Sequence, residues 1–162
     1  MKTRKICVLG DFSVGKTSLT SRFVRNVFSE RYQTTVGVKI DTLELDLAGE
    51  PIKLVIWDLA GTDALSTVSL SYLRGASGYL LVADATRALT FESAKNLHAA
   101  AQKFLGPVPF VVLLNKADLA AEREIALDSA AKLREEGWLA FDTSARSGEN
   151  VEHAFLALAK LL

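Results

Sequence analysis

The chain has 162 residues, 49% hydrophobic and 23% charged, which suits one soluble globular domain (1–162) with a sizeable core. Its 19 Lys plus Arg balance 19 Asp plus Glu, and the zero net charge argues against nonspecific nucleic-acid binding and against adsorption to an acidic membrane. The single Cys7 excludes an internal disulfide, the apolar runs are too short to span a bilayer, and neither a signal peptide nor a prenylation box is present, so a cytoplasmic monomer without a lipid anchor is expected.

Lys5-Ile6-Cys7-Val8-Leu9 is a short, mostly apolar run and reads as a buried strand. Gly10 to Thr17 follow as GDFSVGKT, a G-x-x-x-x-G-K-[ST] stretch. Leu19, Phe23 and Val27 then recur at helical spacing. Periodicity stops over 26–37, which reads as a long loop. Residues 38–47 and 52–57 are rich in β-formers and flank the turn 48–51, so they predict a β-hairpin. Asp58-Leu59-Ala60-Gly61 breaks the second strand, and a weak helix is expected over 69–74. Next come a strand at 79–83, a helix at 91–104 and a strand at 110–114. A helix over 120–136 ended by Gly137, a strand at 138–141 and a closing helix over 150–162 complete the chain. This alternation predicts an α/β sheet of six strands, mostly parallel with one antiparallel strand, and helices on both faces. Ligands bind such sheets beyond the carboxyl ends of the strands, where Gly10, Asp58, Asn115 and Thr143 all fall.

The residue types carry a chemistry. A strand, a glycine-bounded loop and a helix form the context of a phosphate loop. Residues Asp11, Phe12, Ser13, Val14, Gly15, Lys16, Thr17 and Ser18 would line it, with backbone N–H groups turned onto the anion and the helix N-terminus adding its positive dipole end. Lys16 can reach the β- and γ-phosphates, and the Thr17 hydroxyl can ligate Mg²⁺. Asp58, at a strand tip, can hold the same ion, and Gly61 can offer its N–H to a γ-phosphate. Each has a plainer reading: a glycine-rich turn with a surface lysine, and an Asp that opens a turn. In Asn115-Lys116-Ala117-Asp118 a fixed carboxylate can accept from two donors at once, a pair that guanine presents and adenine does not. The stem of Lys116 could lie along the base. Backbone N–H groups at Ser144, Ala145 and Arg146 could meet the guanine oxygen, although a solvated strand-to-helix turn has the same composition. In the long loop Thr35 could close on Mg²⁺ when a γ-phosphate is present, and Phe28 could pack on the base or anchor the loop to the core.

The order GDFSVGKT, TTVG, WDLAG, NKAD and TSAR resembles the guanine-nucleotide motifs of the Ras-like small GTPases, over essentially the whole chain. The stretches 35–40, 53–57, 72–76 and 81–86 are similar to Rab segments. The resemblance implies a P-loop NTPase fold, GTP/GDP as ligand with Mg²⁺, and a switch that reorganises 26–37 and 60–74 when the γ-phosphate is lost. It implies Thr17, Thr35 and Asp58 at the metal, and Lys16, Thr35, Gly61 and the residue after it at the hydrolytic centre. It also implies that effectors and regulators meet those two segments and a patch of Ile40, Trp57 and Tyr72, whose plainer reading is ordinary packing.

Two departures bear on the chemistry. Thr62 stands where the family carries the glutamine that orients the attacking water, and Asp63 follows it. Phe12 and Ser13 stand where the family has small residues, and a phenylalanine turned toward the γ-phosphate would crowd the water. Slow GTP hydrolysis is therefore expected. The alternative is a GTP-binding module that signals by occupancy alone. A kinase or ATPase would need an adenine pocket, which Asn115 to Asp118 argue against.

Overall fold

Alternation along the first strand decides the layering. In β1 (Lys2–Gly10) Ile6 and Val8 face one side and Cys7 and Leu9 the other, and all four are buried. Side chains alternate along a strand, so an apolar run buried on both sides needs helices on both faces. The computed structural model describes residues 1–25, 29–33, 38–59 and 67–162, with 29–33 and 67–69 described by their backbone alone.

After β1 come α1 (Lys16–Val24), β2 (Ser29–Gln33), β3 (Lys39–Leu47), β4 (Glu50–Asp58) and α2 (Thr67–Tyr72). Then follow β5 (Gly78–Asp84), α3 (Leu89–Leu105), β6 (Phe110–Asn115), a 3₁₀ turn (Ala120–Glu122), α4 (Ser129–Glu135), β7 (Leu139–Asp142) and α5 (Val151–Ala159). The sheet runs β2-β3-β4-β1-β5-β6-β7. β4, β1, β5, β6 and β7 are parallel to one another, and β3 pairs antiparallel with β4. Every residue of β5, the middle one of the five parallel strands, is buried. On one face α1 and α5 close over Ile6, Val8, Leu80, Val82, Val111 and Leu113. There Phe23 stacks on Phe155 at 4.4 Å between ring centroids. On the other face α3 and α4 close over Cys7, Leu9, Tyr79, Leu81, Val112 and Leu114. Burial pushes the Cys7 thiol up to about 12, so it stays protonated and unreactive.

The α/β architecture with helices on both faces is as expected, and the structure differs from the sequence reading chiefly at two places. The sheet has a seventh strand, because residues 29–33 inside the expected loop form β2 and pair antiparallel with β3, Ser29 opposite Leu43 through Gln33 opposite Lys39. Ser-Glu-Arg-Tyr-Gln lacks alternation, but an edge strand is held by its backbone ladder and needs none. The expected helix over 120–136 is two elements. The N–H groups of Glu124 and Ile125 both donate to the carbonyl of Ala85, at 2.8 and 3.0 Å, and Ile125 is buried. A continuous helix would use those N–H groups internally and carry Ile125 away from the core. α2 also sits two residues earlier than 69–74, and α5 ends at Ala159 rather than 162.

Candidate functional site

β1, β4, β5, β6 and β7 end together on one edge of the sheet, Val8 opposite Asp58, Gly10 opposite Val82, Asp84 opposite Asn115 and Leu114 opposite Asp142. The loop from Gly10 to Gly15 leaves β1 there and turns into α1. Gly15 makes that turn at φ +105°, and a Cβ on it would fall 2.3 Å from Asn115 Nδ2. Only glycine meets both conditions.

Each carbonyl of this loop is held from outside. Lys16 Nζ donates to the carbonyls of Gly10 (2.6 Å) and Asp11 (2.9 Å). Arg87 Nη2 donates to Phe12 O (3.0 Å), Lys116 Nζ to Ser13 O (3.0 Å) and Asn115 Nδ2 to Val14 O (2.9 Å). The Leu19 N–H takes Gly15 O at 2.9 Å. In a trans peptide the C=O and the following N–H point in opposite directions. Carbonyls of 12, 13 and 14 drawn outward therefore turn the N–H groups of Ser13, Val14 and Gly15 inward. Ser13 reaches this course at φ +62°. Among the described residues nothing accepts from those three N–H groups. Such a ring of inward N–H groups is an anion cradle. The buried Lys16 ammonium lies under it, its pKa lowered by burial while the charges of Asp58 and Asp11 push the other way.

Thr17, in the first turn of α1, donates Oγ1 to Asp58 Oδ2 at 2.6 Å, and Asp58 is buried at the end of β4. A hydroxyl and a carboxylate oxygen side by side are the hard donors that suit Mg²⁺.

Asn115 to Asp118 and Thr143 to Arg146 are tied into one surface. Thr143 Oγ1 donates to Asn115 Oδ1 (3.2 Å), the Ala117 N–H to Thr143 O (3.0 Å) and Ser144 Oγ to Asp118 Oδ1 (2.8 Å). Lys116 holds φ +65°, a strained value for a side-chain-bearing residue, which lets its ammonium reach both Ser13 O and Asp84 Oδ2 (2.9 Å).

Two hollows meet along this edge. One, of about 600 Å³, is lined by Gly15, Ser18, Asn115, Lys116, Asp118 and Ala145. The other, of about 340 Å³, is lined by Phe12, Ser13, Lys16, Thr17 and Lys116. They share Gly15, Thr17, Ser18 and Lys116, so they form a single groove with a base-sized lobe and a phosphate-sized lobe. A hollow of similar size on the outer face of α5, lined by His153, Leu156 and Lys160, contains none of the converging groups.

Of the sequence-expected residues described here, Phe12, Ser13, Gly15 to Ser18, Asn115, Lys116, Asp118, Ala145 and Arg146 line this groove, and Asp11, Val14, Asp58 and Ser144 are hydrogen-bonded to residues that line it. Phe28, Thr35, Gly61 and Thr62, and with them Asp63 and the rest of 60–66, lie outside the described residues. Phe12 lines the rim of the phosphate lobe and is 79% exposed, its ring largely in solvent. Ile40 lies opposite Trp57 in the β3/β4 ladder, and Trp57 and Tyr72 stand 6.1 Å apart between ring centroids, so the expected patch is one surface. Lys5 underlies it, with Nζ 3.7 Å from the Trp57 ring centroid and donating to Tyr72 O at 2.6 Å.

Two residues that contact the groove's lining escaped the sequence reading, Asp84 through Lys116 and Arg87 through Phe12 O. Asp84 ends β5 just as Asp58 and Asn115 end their strands, and that strand-tip position was the available signal. Nothing in the local pattern marks Arg87, which is placed by the turn after β5.

Comparison with known proteins agrees with this geometry. The Ras family model matches residues 5–162. Ras-related protein Rab-13 of Canis lupus familiaris is 38% identical over 158 residues, spanning 96% of this chain and 78% of that protein. Ras-related protein Rab-19 of Xenopus laevis is 38% identical over 162 residues, spanning 98% of this chain and 76% of that protein.

Proposed function

This chain belongs to the Ras family of small GTPases and is similar to its Rab members, and from that premise we propose a Mg²⁺-dependent GTP/GDP switch, one domain over 1–162, that hydrolyses GTP slowly. Guanine-nucleotide binding and GTP hydrolysis come with the family. The roles of individual residues, the metal and the rate are the proposal.

The observation that carries it is the groove itself, with a cradle of inward N–H groups at one end and Asp118 at the other. Asp118 takes the guanine ring N–H and amine, and Ser144, whose hydroxyl already bonds one Asp118 oxygen, fixes that carboxylate. Ala145 and Arg146 offer backbone N–H groups to the guanine oxygen. The stem of Lys116 would flank the base, and the resemblance to the family gives Phe28 the same task. Thr17 and Asp58 would hold Mg²⁺, joined by Thr35 in the GTP state, and the ion when bound supplies positive charge at the β- and γ-phosphate oxygens.

Hydrolysis transfers the γ-phosphoryl group in line to water, giving GDP and phosphate. The charge on the equatorial and leaving oxygens meets the Lys16 ammonium, the N–H groups of Ser13, Val14 and Gly15, and the N–H of Gly61. What orients the water is the weak point. Thr62 has a short hydroxyl where an amide's paired donor and acceptor would reach farther. Phe12 faces solvent, so the case for slow turnover rests on Thr62. Effectors and regulators would read 26–37, 60–74 and the Ile40, Trp57, Tyr72 patch. The second reading, signalling by occupancy alone, rests on the same threonine.

Single-turnover GTP hydrolysis by the wild type and by Thr62→Gln tests the proposal. The wild type should retain GTP for hours, and the variant should turn it over about a hundredfold faster or more, from the low end of the range for a positioned acid–base group upward. Wild-type turnover within minutes would remove Thr62 as the brake. No turnover in either protein would favour the occupancy reading.

A further inference from the structure

Asp84 is buried at the tip of β5 and pairs with Lys116, which lines both halves of the groove. Its Oδ1 accepts from the Thr86 N–H (2.9 Å) and the Thr86 hydroxyl (2.6 Å). Its Oδ2 accepts from two cations, Arg87 Nε at 3.0 Å and Lys116 Nζ at 2.9 Å. Each cation reaches on to a carbonyl of the phosphate loop, and the two carbonyls are adjacent. Arg87 takes Phe12 O and Lys116 takes Ser13 O. Burial opposes the charge on Asp84, but the bonds from Thr86, Lys116 and Arg87 outweigh it and pull the carboxyl down to about 2, so it is an anion at any working pH.

Two cations on one fixed carboxylate grip consecutive carbonyls. The Ser13 peptide must then present its N–H to the groove, because its carbonyl partner, Phe12 O, is held on the far side. A neutral loop without that grip has competing orientations for the 12–13 peptide, and an anion that selects one of them binds more weakly by the fraction populated. Building on the switch reading above, we infer that Arg87, oriented by Asp84, is a positioning residue for the phosphate cradle, setting the affinity for the distal phosphates of a guanine nucleotide without touching them. The guanidinium suits this task, since Nε binds the carboxylate while Nη2 reaches the carbonyl and the planar fork fixes the angle between them. The side chain is 46% exposed, so its removal leaves no cavity in the core.

The test is a calorimetric titration of wild type, Arg87→Met and Arg87→Lys with GDP and with GMP, in Mg²⁺, alongside melting of the nucleotide-free proteins. GMP lacks the phosphate farther from the base. Loss of a charge-assisted bond predicts that Arg87→Met binds GDP about tenfold more weakly while GMP affinity and nucleotide-free melting hold, so the GDP-to-GMP ratio falls. Arg87→Lys, which keeps a donor, should recover part of that ratio. An unchanged ratio in Arg87→Met overturns the inference. So does an equal loss for both ligands with a lower melting point, which would mark Arg87 as merely structural. Wild type that binds neither nucleotide would overturn the switch reading, and this inference with it.

Discussion

Gly15 concentrates what the groove asks of a single residue. It turns at φ +105°, and a Cβ there would meet the Asn115 amide at 2.3 Å. That amide holds Val14 O, so the neighbour cannot withdraw without releasing the loop. Gly15→Ala should therefore abolish measurable GDP binding, while far-UV circular dichroism stays that of the wild type because the strain is local. Undiminished GDP affinity in Gly15→Ala would mean that the cradle forms by another backbone path. The sequence marked Gly15, Lys16, Thr17 and Asp118 because their types and spacings are tied to the chemistry they perform. It did not mark Arg87, whose role comes from a turn that swings it 75 positions back along the chain to Phe12 O. Nor does spacing tell where a rim side chain points, as Phe12 illustrates.

At the scale of elements, the packing of α3 on β5 and β6 carries its own pH dependence. Tyr79 OH and His98 Nδ1 are 3.0 Å apart, and Gln102 Nε2 donates to the same hydroxyl at 2.6 Å. With its oxygen accepting from Gln102, the tyrosine has its proton to give to a neutral His98, whose ring also packs against Phe110 and Trp138. Burial lowers the His98 pKa below its ordinary 6.5. The unfolded chain then takes up a proton through a pH range where the folded chain does not, so this site's contribution is complete above about 6.5 and is lost as pH falls through the folded value. Melting temperature should fall between about pH 7 and pH 5, and His98→Gln, which does not titrate, should flatten that fall. Parallel curves would show that other groups carry the slope. Element boundaries were legible to within two residues where a local apolar run or periodicity dictates the element, as in 79–83 for β5 and 91–104 for α3. They were not legible where tertiary bonds decide: Ala85 O captures the amides of Glu124 and Ile125 and splits a good helical sequence, and β3 recruits the pattern-free 29–33 as an edge strand.

At the scale of the molecule, five parallel strands end on one edge, and the helices on both faces hold those ends in register. Strand-tip residues far apart in sequence thereby gather at one edge of the sheet, Gly10, Asp58, Asp84, Asn115 and Thr143 among them. This arrangement was legible in advance because alternating strands and helices allow few topologies. Among the described residues no helix is long and apolar enough to cross a membrane. On the proposed reading that groove takes guanine at Asp118 and phosphates at Ser13 to Thr17. The measurement that tests it most directly is the affinity of wild type and Asp118→Asn for guanosine and xanthosine diphosphates. Asparagine offers an N–H₂ donor where the carboxylate offered an acceptor, so it clashes with the guanine amine and matches the xanthine oxygen. The account predicts that GDP affinity falls about a hundredfold or more in Asp118→Asn and that xanthosine diphosphate binds in its place. Unchanged GDP affinity in the variant would contradict it and move the base elsewhere.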